Sequence, residues 1–95
     1  MALYRISTVA ITNAAWTAIA VPADCLYAFA CSVRCDTDGV FLRTNQGDPT
    51  TQDSLALGEQ EFIPAQNEPW QAGTTVVYVM AQTQASANLK VKFSR

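Results

Sequence analysis

The chain has no histidine, and only 15% of its 95 residues are charged. Without histidine, the usual general base at neutral pH is missing, as is the imidazole that normally activates a serine or cysteine nucleophile. Zinc sites also lose one of their common ligands. We therefore expect a non-enzymatic protein with no catalytic residues, no metal site and no cofactor.

Positive charge is also scarce, because the chain has six Lys and Arg residues and a formal net charge of −2. Half of these cations, Lys90, Lys92 and Arg95, lie at the C-terminal end. Phosphate backbones are bound by clustered cations, so we expect no nucleic-acid partner. No apolar run approaches the roughly 20 residues that span a bilayer, so we expect no membrane partner.

Because few residues are charged, much of the surface of so small a domain must be neutral. Neutral surfaces are typical of proteins that contact another protein. A monomer with a neutral polar coat is the alternative.

Residues 25–35 form the most informative stretch of the chain. Their odd positions are apolar or bulky, and their even positions become small and then polar. This period of two predicts a strand with one buried face. A helix is the alternative, because Leu26, Phe29 and Val33 also follow helical spacing. An Asp-Gly turn signal at Asp38-Gly39 favours the strand, and it predicts a hairpin that pairs residues 25–35 with residues 40–44.

The three cysteines, Cys25, Cys31 and Cys35, lie within this stretch. On one strand, Cys25 and Cys31 would be about 20 Å apart, and Cys31 and Cys35 about 13 Å. A disulfide needs Cα atoms within about 7 Å. We therefore predict three reduced cysteines that act as small core residues, as in proteins of a reducing cytoplasm.

The remaining strands are predicted from alternation and from turn residues. Residues 3–12 indicate an edge strand or an arm that crosses to a neighbour, and residues 16–21 a second short strand that Pro22 ends. Residues 59–65 form a strand that Pro64 ends, and a last strand alternates through Leu89, Val91 and Phe93. Residues 74–83 are apolar on both faces, so both faces should be covered, the second by a loop or by a neighbouring subunit.

About seven short strands with no convincing helix predict an all-β fold, a single antiparallel β-sandwich or jelly-roll-like domain over residues 1–95. The polar loop at residues 45–54 is long for a small domain, and such loops are mobile or contact a partner. Trp16 and Trp70 either plug the ends of the sandwich or stack on a partner such as a sugar ring. The candidate partner-contact residues are Asn45, Gln46, Asp48, Thr50, Gln52, Asp53, Trp16 and Trp70.

Two weaker signals favour structural explanations. Glu59 and Glu61 share a strand face and could form a carboxylate pair, but such residues are usually solvated. Asp36, Asp38 and Gly39 resemble the opening of a calcium-binding loop, but the position of the closing Glu is Gly47. We therefore expect a turn at residues 36–39.

Several segments together resemble small virion structural proteins of tailed bacteriophages, across nearly the whole chain. These segments are Trp16, Val21-Pro22-Ala23-Asp24-Cys25, Gly39-Val40-Phe41-Leu42-Arg43, Leu57-Gly58-Glu59, Trp70-Gln71-Ala72-Gly73-Thr74, Val77-Tyr78-Val79, and a last strand with Leu89 and Val91.

The resemblance implies a β-sandwich that is made in the host bacterial cytoplasm and incorporated into the virion. It implies a capsid decoration (cement) protein that binds major capsid subunits, or alternatively a neck, tail or fibre-associated protein. Decoration proteins of this kind often form trimers, and the low charge of the chain independently favours a homo-oligomer. A small carbohydrate-binding module that uses Trp16 or Trp70 is the alternative from a different functional class.

Overall fold

The computed structural model describes residues 4–25, 27–44 and 53–94, and within these ranges the chain forms ten β-strands and no helix. The strands are β1 (Tyr4–Ile11), β2 (Thr17–Ala20), β3 (Tyr27–Ala28), β4 (Ala30–Cys35), β5 (Val40–Thr44), β6 (Asp53–Leu55), β7 (Gln60–Pro64), β8 (Trp70–Gln71), β9 (Thr75–Ala81) and β10 (Ala87–Ser94). The part of the chain described here contains no helix long and apolar enough to cross a membrane.

The strands form two four-stranded sheets and one two-stranded sheet. The first sheet has the order β1-β10-β4-β7, the second β2-β9-β5-β6, and β3 pairs with β8. Every pairing is antiparallel. The predicted all-β antiparallel sandwich is therefore confirmed. The predicted count of seven strands is too low, because β3, β6 and β8 have only two or three residues, too few to produce a readable alternation.

The core lies between the inner faces of the two large sheets. In β10, Leu89, Val91 and Phe93 are almost completely buried, and the residues between them face outward. This is the alternation predicted for the last strand. The second sheet contributes its own inner residues, among them Ile19, Leu42, Val77 and Val79. The hydrophobic effect thus fixes which face of each strand points inward.

Residues 25–35 do not form a single strand, which corrects one prediction. Cys31, Val33 and Cys35 are buried as expected, but Tyr27 and Phe29 are 43% and 51% exposed. The chain leaves the regular ladder at Phe29, whose N–H donates to the Ser94 carbonyl. This break separates β3 from β4 and changes which positions are buried. The prediction placed odd-numbered residues in the core, but in β3 the buried residue is the even-numbered Ala28.

The predicted hairpin is also wrong, because β4 belongs to the first sheet and β5 to the second. Residues 36–39 carry the chain from one sheet to the other. Asp38 fixes this connection by accepting hydrogen bonds from the Thr83 N–H at 3.0 Å, the Thr83 hydroxyl at 2.8 Å and the Gln84 N–H at 2.9 Å. Gly39 does not have the positive φ that a type I′ hairpin turn requires.

The three cysteines are free and buried, as the sequence predicted. Burial raises the pKa of the Cys31 thiol to about 12, because an apolar environment disfavours the charged thiolate. Cys25 and Cys35 donate weak S–H hydrogen bonds to the carbonyls of Tyr27 and Asn88. The cysteines therefore serve as small core residues.

Candidate functional site

The interior of the sandwich is filled by side chains, so candidate sites among the described residues lie on its outer faces. Val33, Leu89 and Phe93 of the first sheet are at most 1% exposed, as are Leu42 and Val79 of the second. Side chains buried to this extent leave little room for water or a ligand between the sheets.

The second sheet carries an aromatic outer face. Along β5 and β9, buried residues alternate with half-buried ones that point outward. The cross-strand register places Phe41 opposite Met80, and Arg43 opposite Tyr78. On the other side of β9, Ala18 of β2 lies opposite Tyr78. We call this surface the aromatic face, and its residues are Trp16, Ala18, Phe41, Arg43, Tyr78 and Met80.

Trp16 and Arg43 link the two ends of the aromatic face. Trp16 lies immediately before β2, and the guanidinium carbon of Arg43 is 5.3 Å from the centre of the Trp16 ring. This is a cation–π contact, for which arginine on tryptophan is a favourable pair. The contact covers part of the ring on which a sugar would stack. Both side chains are only half exposed, which holds them in a fixed arrangement.

The first sheet carries a groove with a different chemistry. Two rows of outward-facing residues cross the four strands of this sheet, with one residue from each strand in each row. The first row is Ile6, Lys92, Ser32 and Phe62, and the second is Thr8, Lys90, Arg34 and Gln60. Ile6 and Phe62, at the two ends of their row, are 66% and 61% exposed, whereas Ser32 between them is 8% exposed.

This arrangement creates a depression of about 240 Å³, which is lined by three residues of the first row, three of the second and two valines: Ile6, Ser32, Lys92, Arg34, Gln60, Lys90, Val33 and Val91. It is low in the middle because serine is small, and it is bounded by larger side chains on the edge strands. We call it the basic groove.

Asp36 lies at one end of the basic groove and partly neutralises it. Lys90 Nζ is 2.9 Å from Asp36 Oδ2, and Arg34 Nε is 3.1 Å from Asp36 Oδ1. The hydrogen bond from Lys90 contributes most to holding the pKa of Asp36 below its ordinary value of 3.8, and the charge of Arg34 adds to this effect. Asp36, Lys90 and Arg34 together carry a formal charge of +1, although the whole chain carries −2.

The candidate contact residues named from the sequence are not gathered at one site. Asn45, Gln46, Asp48, Thr50 and Gln52 lie outside the described residues. Asp53 is exposed at the start of β6, the edge strand farthest from β2 in the second sheet. Trp16 belongs to the aromatic face.

Trp70 is 8% exposed and packs into the core. It pairs through β8 with Ala28 of β3, and this small sheet holds its ring against the sandwich. This burial agrees with the interpretation of Trp70 as an end plug, and contact of Trp70 with a partner stays a prediction.

The two weaker signals are part of the fold. Glu59 Oε1 accepts a hydrogen bond from the Ala56 N–H at 2.9 Å and so closes the turn before β7. The Asp38 carboxylate accepts hydrogen bonds from the backbone N–H groups of Gln84 and Thr83, which hold its pKa below the ordinary value. Within the described ranges, no group of three or more potential metal ligands occurs.

Sequence reasoning did not identify the basic groove or most of the aromatic face. The two apolar faces predicted for residues 74–83 are a partial signal for the aromatic face, because Tyr78 and Met80 lie within this strand. The groove left no local signal, because its two rows combine residues from four strands that are distant along the chain.

No family model and no curated protein matches the chain. Solved structures do resemble it. A de novo designed double-stranded β-helix superposes with a TM-score of 0.61 at 10% identity, covering 95% of this chain and 99% of the designed one. A sugar phosphate isomerase of the cupin superfamily from Silicibacter pomeroyi gives 0.62 at 16% identity, covering 100% of this chain and 52% of that protein.

A cupin-2 domain containing protein from Shewanella frigidimarina gives a TM-score of 0.55 at 14% identity, covering 100% of this chain and 74% of that protein. Identities this low are informative about the fold alone. The chain therefore has a small jelly-roll fold of the kind found in cupins and double-stranded β-helices.

Proposed function

We propose that this protein is a non-enzymatic structural subunit of a tailed-phage virion, and specifically a capsid decoration (cement) protein. It is synthesised in the host bacterial cytoplasm and binds major capsid subunits as a homo-oligomer, with a trimer favoured. The sequence resemblance suggests the particle, and the aromatic face is the structural observation that supports assembly. A neck, tail or fibre position is the alternative within the same class.

The composition of the aromatic face is that of a protein interface. Aromatic residues, methionine and arginine are enriched in the centres of interfaces, where water is excluded. Trp16, Phe41, Tyr78 and Met80 together present such a surface, with Arg43 as its only charged member. Because Arg43 is the one charged residue of this face and its guanidinium lies against Trp16, contact with a symmetry-related copy brings few like charges together. Burying it in an oligomer would supply the second cover that the sequence pattern of residues 74–83 calls for.

Co-sedimentation with phage heads tests this function directly. Heads are purified from the virus or prophage whose genome carries this gene, mixed with the purified protein, and separated on a density gradient. We expect the protein to migrate with the heads at a fixed ratio to the major capsid subunit, and to raise the temperature at which the heads release DNA. Protein that stays at the top of the gradient with heads and also with tails would contradict the proposal.

A further inference from the structure

We propose that the outer edge of β1 binds an extended segment of the major capsid subunit, which adds to the first sheet as a fifth strand through backbone hydrogen bonds. This inference rests on the proposed function, because it names the element through which the protein contacts the capsid. The added segment needs about five residues to form a strand, an apolar side chain where it meets the core, and no proline at the positions that donate to β1.

The edge of β1 carries backbone groups that another extended strand can satisfy. β1 pairs with β10 in a register that is continuous over all eight residues, and it is the terminal strand of the first sheet. In an antiparallel ladder, every second residue directs its N–H and C=O away from the paired strand. Among the described residues, no backbone hydrogen bond outside the β1–β10 ladder involves residues 4–11. This row of donors and acceptors has the spacing of an extended chain, which is the basis of strand addition.

The other three terminal strands have features that hinder strand addition. β7 contains Glu61 and ends at Pro64, which has no N–H to donate. β6 has three residues and begins at Asp53. β2 has four residues, and its register shifts between Ile19 and Ala20. Proline, charge, short length and irregular register are the features by which natural proteins protect sheet edges.

β1 lacks this protection. It has eight residues, no proline and no shift of register, and its single charged residue, Arg5, lies near its start. Three of the four edges are thus protected and the longest one is not. This contrast within one molecule indicates that the β1 edge is kept open for a partner.

The inner side of β1 indicates which side chains the added strand carries. Leu89 and Val91 of β10 are at most 1% exposed, whereas Val9 and Ser7, which lie opposite them on β1, are only half buried. Val9 packs against the core, so the core is less completely covered along β1 than along β10. An apolar side chain opposite Val9 on the added strand would complete this cover, because directly opposite residues have Cβ atoms about 5 Å apart.

The symmetry of the proposed oligomer assigns the edge to the capsid rather than to a second copy. Antiparallel pairing of β1 with the β1 strand of another copy requires a twofold axis, which a cyclic trimer does not have. Pairing of β1 with a different edge of a neighbouring copy would have to use one of the three protected strands. The proposed trimer therefore leaves each β1 edge available to the particle.

Amide hydrogen exchange, measured by NMR on the isotope-labelled free protein, tests whether the edge is open. Along residues 6–10, we expect fast and slow amides to alternate, because every second N–H is bonded to β10 and the others face solvent. The fast amides should exchange at least about tenfold faster than their slow neighbours. Uniformly slow exchange along β1 would overturn the inference, because the edge would then already be covered in the free protein.

Two lysine substitutions then test the contact with purified phage heads. Val9→Lys places a charge on the inner side of β1, where an added strand would bury it, and Ala10→Lys places the same charge on the exposed outer side of the same strand. We expect Val9→Lys to weaken co-sedimentation with heads at least about tenfold and Ala10→Lys to change it less than about twofold. Thermal melts and light scattering check that both variants keep their fold and oligomeric state.

A proline variant keeps the test decisive where Val9→Lys does not fold. Thr8→Pro or Val9→Pro is chosen, whichever replaces the fast-exchanging amide, because that N–H makes no bond within the sheet. This variant should retain the native fold and lose binding to heads.

Failure of the inference and failure of the proposed function give different results. If wild type, folded Val9→Lys and the folded proline variant all bind heads equally well, the inference is overturned and the proposed function stands. If folded Val9→Lys loses its oligomeric state, the edge is occupied by a second copy and the inference is again overturned. Wild-type protein that binds neither heads nor tails contradicts the proposed function and, with it, this inference.

Discussion

Replacing Gly39 with alanine tests how the connection between the two sheets is held. A Cβ atom at this position would lie 2.5 Å from Gln82 Oε1 and 3.0 Å from the Leu55 carbonyl oxygen. The Gln82 carboxamide must therefore move. In doing so it gives up the hydrogen bonds that Gln82 Nε2 donates to the carbonyls of Val40, at 3.1 Å, and Leu55, at 3.4 Å.

The size of the effect follows from two opposing contributions. Each lost hydrogen bond costs about 1 kcal/mol, and somewhat less for the longer one. Alanine at a position without positive φ restricts the unfolded chain and gains about 0.4–1 kcal/mol. We expect Gly39→Ala to lower the free energy of unfolding by about 1 kcal/mol, which lowers the Tm by about 4–8 °C for a domain of this size.

A double-mutant cycle separates the contact from other causes. Gln82→Ala removes the hydrogen bonds and also makes room for the new Cβ, so Gly39→Ala should cost little or nothing in the Gln82→Ala background. Urea unfolding followed by circular dichroism measures all four proteins. Residues that share a contact do not behave independently. The argument would be refuted if the changes in unfolding free energy of the two single variants added up to that of the double variant to within about 0.3 kcal/mol.

Three further predictions concern the core and two titratable groups. Leu89→Ala should lower the unfolding free energy by about 2–5 kcal/mol in urea titrations, whereas Leu57→Ala, at an exposed site, should change it by less than about 0.5 kcal/mol. Folding lowers the pKa of Asp38, so its carboxylate stabilises the folded state at pH values above the pKa of the unfolded chain. This stabilisation is lost as the pH falls through the lower pKa of the folded state. Asp38→Asn should therefore be less stable than wild type at pH 7, and the difference should shrink below the ordinary pKa of 3.8 when both are melted across a pH series; a difference that does not change with pH would contradict this. Cys31 is buried with its pKa raised to about 12, so a chromogenic disulfide reagent at pH 8 should label it only at the rate of unfolding, and burst labelling of this thiol in the native protein would be inconsistent with the structure.

The sequence predicts a strand correctly where apolar and polar residues alternate along it and the apolar residues are the buried ones. β10 is the best example, because Leu89, Val91 and Phe93 alternate with polar residues and face the core. The overall class followed from several such strands separated by turn residues. Burial of the cysteines followed from their positions in an apolar stretch, although the single strand assumed there is interrupted at Phe29.

The features that could not be predicted depend on contacts between distant parts of the chain. Asp38-Gly39 has the composition of a hairpin turn, but the carboxylate of Asp38 is bound by Thr83 and Gln84, about 45 residues away, and the chain crosses to the other sheet. The exposed Tyr27 and Phe29 form an edge-to-face pair with ring centres 5.7 Å apart, which no local rule indicates. Both outer faces likewise require the strand order and register.

The carbohydrate-binding alternative can be tested through tryptophan fluorescence. Trp16 is half exposed and in contact with Arg43, whereas Trp70 is buried. We therefore expect no change in emission on titration with a broad panel of mono- and oligosaccharides. A saturable shift that disappears in Trp16→Phe would instead favour a glycan-binding module over a structural subunit.

The most direct test of the central claim, that the aromatic face is an assembly interface, is the native mass by light scattering across a concentration series. The matched variants are Tyr78→Glu, which places a charge on the aromatic face, and Phe62→Glu, which places the same charge on the opposite sheet. We expect a closed oligomer, with a trimer favoured, for wild type and Phe62→Glu, and a folded monomer for Tyr78→Glu. A wild-type monomer at every concentration, or an oligomer that Tyr78→Glu leaves intact, would contradict it.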